Sequence, residues 1–136
     1  MPDIPIAYTY SREQAIASGA LRDVSDLARQ AGFARPVALT EQAWTHAVAW
    51  DHDGALGQST TGRTLVVLTM ARPAIEAAYA AMADADPGST VRAEFSVLRL
   101  VNGSTDTKPH PIALAIHYGP GDNGEPVVTI MRARES

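Results

Sequence analysis

Cysteine is absent from this chain, and with it go disulfides, thiolate zinc sites and cysteine nucleophiles. Lysine is nearly absent too. Lys108 stands alone beside ten arginines, spread thinly among fifteen acids for a net charge of −4. A protein that grips nucleic acid through its phosphates needs several cations grouped on one face. The balance here argues against direct DNA or RNA binding. A small acidic surplus suits a basic protein partner, but it is equally an ordinary solubility charge. No basic segment followed by a long apolar run opens the chain, so neither a leader peptide nor a membrane span is expected. Cytoplasm is the expected location. Internal repeats and low-complexity tracts are also missing.

Catalytic signatures are equally sparse. No H-E-x-x-H helix and no G-x-S-x-G elbow is present. The run from Gly57 to Arg63 looks like a nucleotide loop, but it lacks the Gly-Lys-Ser/Thr ending and follows no strand. Ser59 to Thr61 are better read as helix caps. No cofactor or metal is called for.

What is there is an ordinary globular composition, 46% hydrophobic and 19% charged over 136 residues, enough for one domain with its own core. Ser11-Arg12-Glu13-Gln14 has capping-box form and predicts a helix over 11–18, stopped at Gly19. Asp23 or Ser25 caps a second helix that ends at Gly32, and Val37 and Leu39 read as a short extended piece. Thr40 caps a third helix with Trp44, Ala47 and Val48 in one stripe.

The longest element is a helix over about 61–83, with Leu65, Leu68, Arg72, Ile75, Tyr79 and Met82 on one line. Val66, Val67 and Met70 widen that line, and Pro73 predicts a kink or a join between two helices. From Thr90 the period changes to two. Strands are expected over 90–101, 112–118 and 127–131, joined by hairpin-type loops. Phe95 and Val97 share one face, while Leu98 turns to the other. Helices first and strands last give an α+β fold, with N-terminal helices packed on a C-terminal antiparallel sheet of three or more strands.

Three places invite a chemical reading. His46, Asp51, His52 and Asp53 contain metal-ligand types but not the ligand ladder of a calcium loop, so helix capping and a solvated turn explain them more simply. The loop from Gly119 to Pro126 is glycine-rich, yet it leads into a strand and carries two acids, which disfavours phosphate. It reads as a tight hairpin, or as a loop for partner contact. His117 lies on the strand face shared by Ala113 and Ala115; with Asp122 nearby in sequence, or Ser96 across the sheet, it is the one candidate general base. Trp44 and Trp50 read as core; six residues apart, they do not share one face, which leaves one of them free to act as a surface anchor.

The run 11–16, Asp23-Val24-Ser25, Leu27-Ala28, Ala31-Gly32-Phe33 and 36–40 followed by Trp44 resembles domain-of-unknown-function family 6573. So do 57–59, Gly62-Arg63, Val67-Leu68, 70–72, 95–98, 117–122, 124–127 and 129–131. The likeness is collinear and spans nearly the whole chain. Pro73 and a short stretch over 51–56 are the departures from it. The resemblance implies a small accessory protein of a plasmid, phage or other mobile element; it carries over a setting and no catalytic residue.

Three functions compete on these grounds. The leading expectation is a non-enzymatic interaction protein that inhibits a host defence system, of anti-restriction or anti-CRISPR type, by occupying a partner's surface. Its partner-binding candidates are Asp51, Asp53, His117, Gly121, Asp122, Asn123 and Glu125. The alternatives are a small hydrolase or transferase using His117 with Asp122 or Asp51, and a structural homodimer paired through the open sheet face or an edge strand.

Overall fold

Local chemistry sets the first described helix. The Ser11 hydroxyl accepts from the Gln14 amide while Gln14 returns a bond to the Ser11 N–H, and Gly19 closes the helix at φ 88°. That is helix α1 (Arg12–Ser18). The computed structural model describes residues 11–50, 58–83, 89–100 and 108–135. Strand β1 (Leu21–Asp23) follows, then helix α2 (Ser25–Gln30). The Asp23 carboxylate accepts from the Ser25 N–H, and the Ser25 hydroxyl accepts from the Val37 N–H. One polar pair thus starts α2 and ties it to strand β2 (Val37–Thr40).

Thr40 caps the next helix as its sequence predicts, its hydroxyl accepting from the Ala43 N–H. Helix α3 (Glu41–Ala43) is only three residues long and widens at once into a π-helical turn over Trp44–Val48. The Ala49 N–H closes that turn by donating to the Trp44 carbonyl. Ala47 and Val48 are buried, while Trp44 is half-buried.

Helix α4 (Thr60–Ala83) runs as one element through Pro73, not as two. Its buried line differs from the expected one. Arg63, Thr64, Val67, Leu68, Ala71, Ala74, Ile75 and Ala78 face inward, whereas Val66 and Met70 are 45% and 49% exposed. Alanines at 71, 74 and 78 let the helix axis approach the sheet closely, so the bulk in that layer comes from the strands.

The strands β3 (Val91–Arg99), β4 (His110–Pro120) and β5 (Pro126–Arg132) form the expected antiparallel meander. The sheet is larger than that meander. Its order is β1-β2-β5-β4-β3, and β2 pairs with β5 in parallel, so the five-stranded sheet is mixed. The buried run Val37-Ala38-Leu39 has the composition of a strand covered on both faces. Register builds the core in rows. Val37, Val128 and Tyr118 align, as do Leu39, Ile130 and Ile116, with Leu114 opposite Phe95 in the next row. Tyr79 of α4 meets Tyr118 edge-on, with centroids 4.7 Å apart.

Candidate functional site

The second face of the sheet carries the residues that the sequence singled out. His117 sits there between Arg92 on β3 and Thr129 on β5. Ser96 pairs with Ala113 instead, so no serine lies opposite the imidazole. Ala115 is fully buried, His117 half-buried and Ala113 exposed; this face is therefore only partly open.

Helix α1 covers part of it. The Asp122 carboxylate accepts from the Arg12 N–H at 2.8 Å and from the Glu13 N–H at 3.0 Å, so both its oxygens serve the N-terminus of α1. These two amide bonds hold the Asp122 carboxyl below the usual carboxylate range. The Arg12 guanidinium then reaches across β5, donating to the Thr129 hydroxyl and the Val128 carbonyl.

The hairpin that presents Asp122 is compact. The strands stay paired to Pro120 and Pro126; the Gly121 N–H donates to the Glu125 carbonyl, and the Gly124 N–H to the Gly121 carbonyl. Gly124 adopts φ 82°, which favours glycine. The Asn123 N–H donates to the Glu125 carboxylate. Gly121, Asp122, Asn123 and Glu125 are therefore one structural unit beside His117. Asp51 and Asp53 lie outside the described residues.

A hollow of about 290 Å³ lies at this junction, lined among others by Arg12, Thr90, His117, Gly119, Asp122 and Thr129. A Cβ at Gly119 would come within 2.6 Å of the Thr90 hydroxyl, so the strand must be bare there. The Nε2 of His117 is buried with no hydrogen-bond partner among the described residues. Burial first, and the Arg92 charge second, hold the imidazole below its ordinary pKa of 6.5. A neutral imidazole could accept a proton, but a general base also needs an orienting acid. Asp122 is engaged elsewhere. Among the described residues no three His, Asp or Glu side chains come together as a metal site would require.

Two features escaped the sequence reading. A cleft of about 490 Å³ opens between β1, α2 and the start of α4, with the Arg22 guanidinium stacked 5.2 Å over Trp44. Nothing local announces it, because the pairing of β1 with β2 is what brings Arg22 to Trp44. The other is the outer face of α4. Val66, Thr69, Met70, Pro73, Ala77, Ala80 and Ala81 are all exposed there, and Glu76, paired with Arg72, is the charge among them. An 18-residue stretch of α4 has a mean hydropathy of 1.3, yet only 28% of that stretch is buried. Its signal in the sequence is the scarcity of charge: Arg63, Arg72 and Glu76 are the charged residues across 24 positions.

Comparison with known proteins matches residues 3–136 to the model of a family of unknown function, DUF6573. No curated protein and no solved structure matches the chain.

Proposed function

The chain belongs to the family of unknown function DUF6573, and within it we propose that the protein is a non-enzymatic protein-interaction module that binds through the outer face of α4. The observation that carries this is the exposed, nearly uncharged helix surface around Val66 and Met70. A helix with one face in solvent ordinarily puts charged and polar groups on that face. A contiguous apolar surface on a folded domain marks a contact site. Covering the exposed parts of Val66 and Met70 would gain about 1 kcal/mol each.

The setting we propose is that of a mobile-element accessory protein, with a component of a host defence complex, of anti-restriction or anti-CRISPR type, as the partner. Occupying that partner's surface would be sufficient for inhibition, with no catalytic residue needed. The test is a tagged protein expressed in a host with intact defence systems, compared with the double variant V66E/M70E. Wild type should recover a defence component and protect incoming DNA, and the variant should do neither while keeping its melting temperature. Recovery of the same component by both proteins overturns the α4 surface. Failure of wild type to protect overturns the defence role.

One observation favours a second reading, a small hydrolase or transferase using His117 with a nearby Asp: His117 and Asp122 line the same hollow. Both Asp122 oxygens are already bonded to amides, which makes it the weaker reading.

A further inference from the structure

Arg63 and Arg99 are 2% and 6% exposed, and they meet at the N-terminal end of α4. Arg99 donates to the carbonyl of Arg63 itself. Their other partners are neutral: Arg63 donates to the Val48 and Leu100 carbonyls and the Gln58 side chain and lies 5.0 Å over the Trp50 ring, and Arg99 donates to the Ala47 and Leu98 carbonyls. Among the described residues neither arginine has a carboxylate partner. The Nη2 of Arg63 is buried without any hydrogen bond there. Burial, and then the charge of Arg63, push Arg99 down to about 10. Buried charge is costly unless it is paired, and two like charges in contact make the cost larger.

The carbonyls explain half of this arrangement. Ala47 and Val48 end the π-helical turn, and a cation is well placed at the C-terminal end of a helix. They do not explain why two full charges are needed, nor the idle Nη2. The two arginines line a hollow of about 190 Å³ together with Gln58, Ser59, Gly62 and Val66. The Ser59 hydroxyl accepts from the Gly62 N–H, so this hollow also lies at the start of the 24-residue α4, its positive dipole end. At about 30 Å³ per water, the space equals about six waters, enough for a tetrahedral oxyanion but not for a nucleoside.

We infer that this hollow is a binding site for a phosphate-type oxyanion, held by the Arg63 and Arg99 guanidinium groups at the N-terminal end of α4. Guanidinium forks match such an anion in charge and geometry. Val66 on the rim would keep the site partly dry and strengthen the contact. The inference shares Val66 with the α4 contact surface but rests on the two arginines, and it stands if that reading fails.

The test titrates inorganic phosphate into the full chain at constant ionic strength, with chloride as control, following the Gly62 amide and the Arg63 and Arg99 Nε–H signals by NMR. Saturable shifts at these groups, together with a melting temperature raised by phosphate and not by chloride, are expected. The decisive variant is Q58E, which places a carboxylate beside Arg63 Nη1 with little change of shape. It should raise the melting temperature in chloride and weaken phosphate at least tenfold. A parallel titration with glycerol phosphate separates sources. Binding as tight as inorganic phosphate indicates the terminal group of a larger molecule, and much weaker binding indicates the free ion; both support the site. Linear, non-saturating shifts in wild type, or an unchanged phosphate response in Q58E, overturn it.

Discussion

His117 shows how one side chain couples burial to pH. Its folded pKa lies below 6.5, so the unfolded chain binds the proton first as pH falls. The associated stability is whole above about pH 6.5 and is lost as pH drops through the folded value. The urea midpoint should therefore fall between pH 7 and pH 5, and H117N should flatten that slope. Asp122 acts lower on the scale. Its depressed carboxyl contributes stability above its unfolded pKa near 4, and that contribution disappears as pH falls through the folded value. D122N should speed hydrogen exchange at the Arg12 and Glu13 amides, leaving the core amides of β4 unchanged. Arg99 belongs to the same scale but answers to sterics and bonding. R99M would strand the Ala47 carbonyl in a buried place, a loss of about 1–3 kcal/mol measurable by chemical denaturation.

Among the elements, α4 is the one whose two sides are hardest to tell apart in sequence. Its residues are apolar nearly all round, so periodicity alone does not say which line faces inward. Packing chose the alanine line, because Leu114, Ile116 and Tyr118 already fill the layer beneath it. L114A should consequently leave a cavity and cost about 2–5 kcal/mol. Pro73 is different, since it is exposed and sits inside the continuous helix. Removing it restores a backbone donor without removing a core contact. P73A should stabilise the protein, by about 1–2 kcal/mol of the roughly 3 that an interior proline costs. A lower denaturation midpoint in P73A would show that the ring makes a contact of its own.

At the largest scale, among the described residues, the sheet leaves β3 as a nine-residue edge strand and α4 with an exposed outer face. Light scattering at micromolar concentration, run on wild type and V66E/M70E, separates a self-pairing protein from one that needs a different partner. A dimer that dissociates only in the variant would make a second copy the occupant of the α4 face. A monomer in both leaves that face for another protein. The Arg92–Glu94 pair puts charge on the exposed side of β3, as edge strands that avoid pairing commonly do.

Much of the fold was legible in the sequence because its signals are local. Ser11 and Thr40 cap helices through their own next three residues, and the alternation of Ile112, Leu114, Ile116 and Tyr118 makes a strand wherever it is placed. The hairpin around Gly124 follows from turn chemistry alone. The site was less legible, since its contacts join residues distant in the chain. Asp122 caps a helix that begins 110 residues earlier, β2 enters the sheet beside β5, and Arg99 meets Arg63 across 36 residues. Only the tertiary structure decides such pairings, because they depend on which surfaces compete successfully for burial. The missing cysteines excluded disulfides, thiolate metal sites and thiol nucleophiles from the outset. Where the arginines ended up, two of them buried together at the head of α4, was settled by packing.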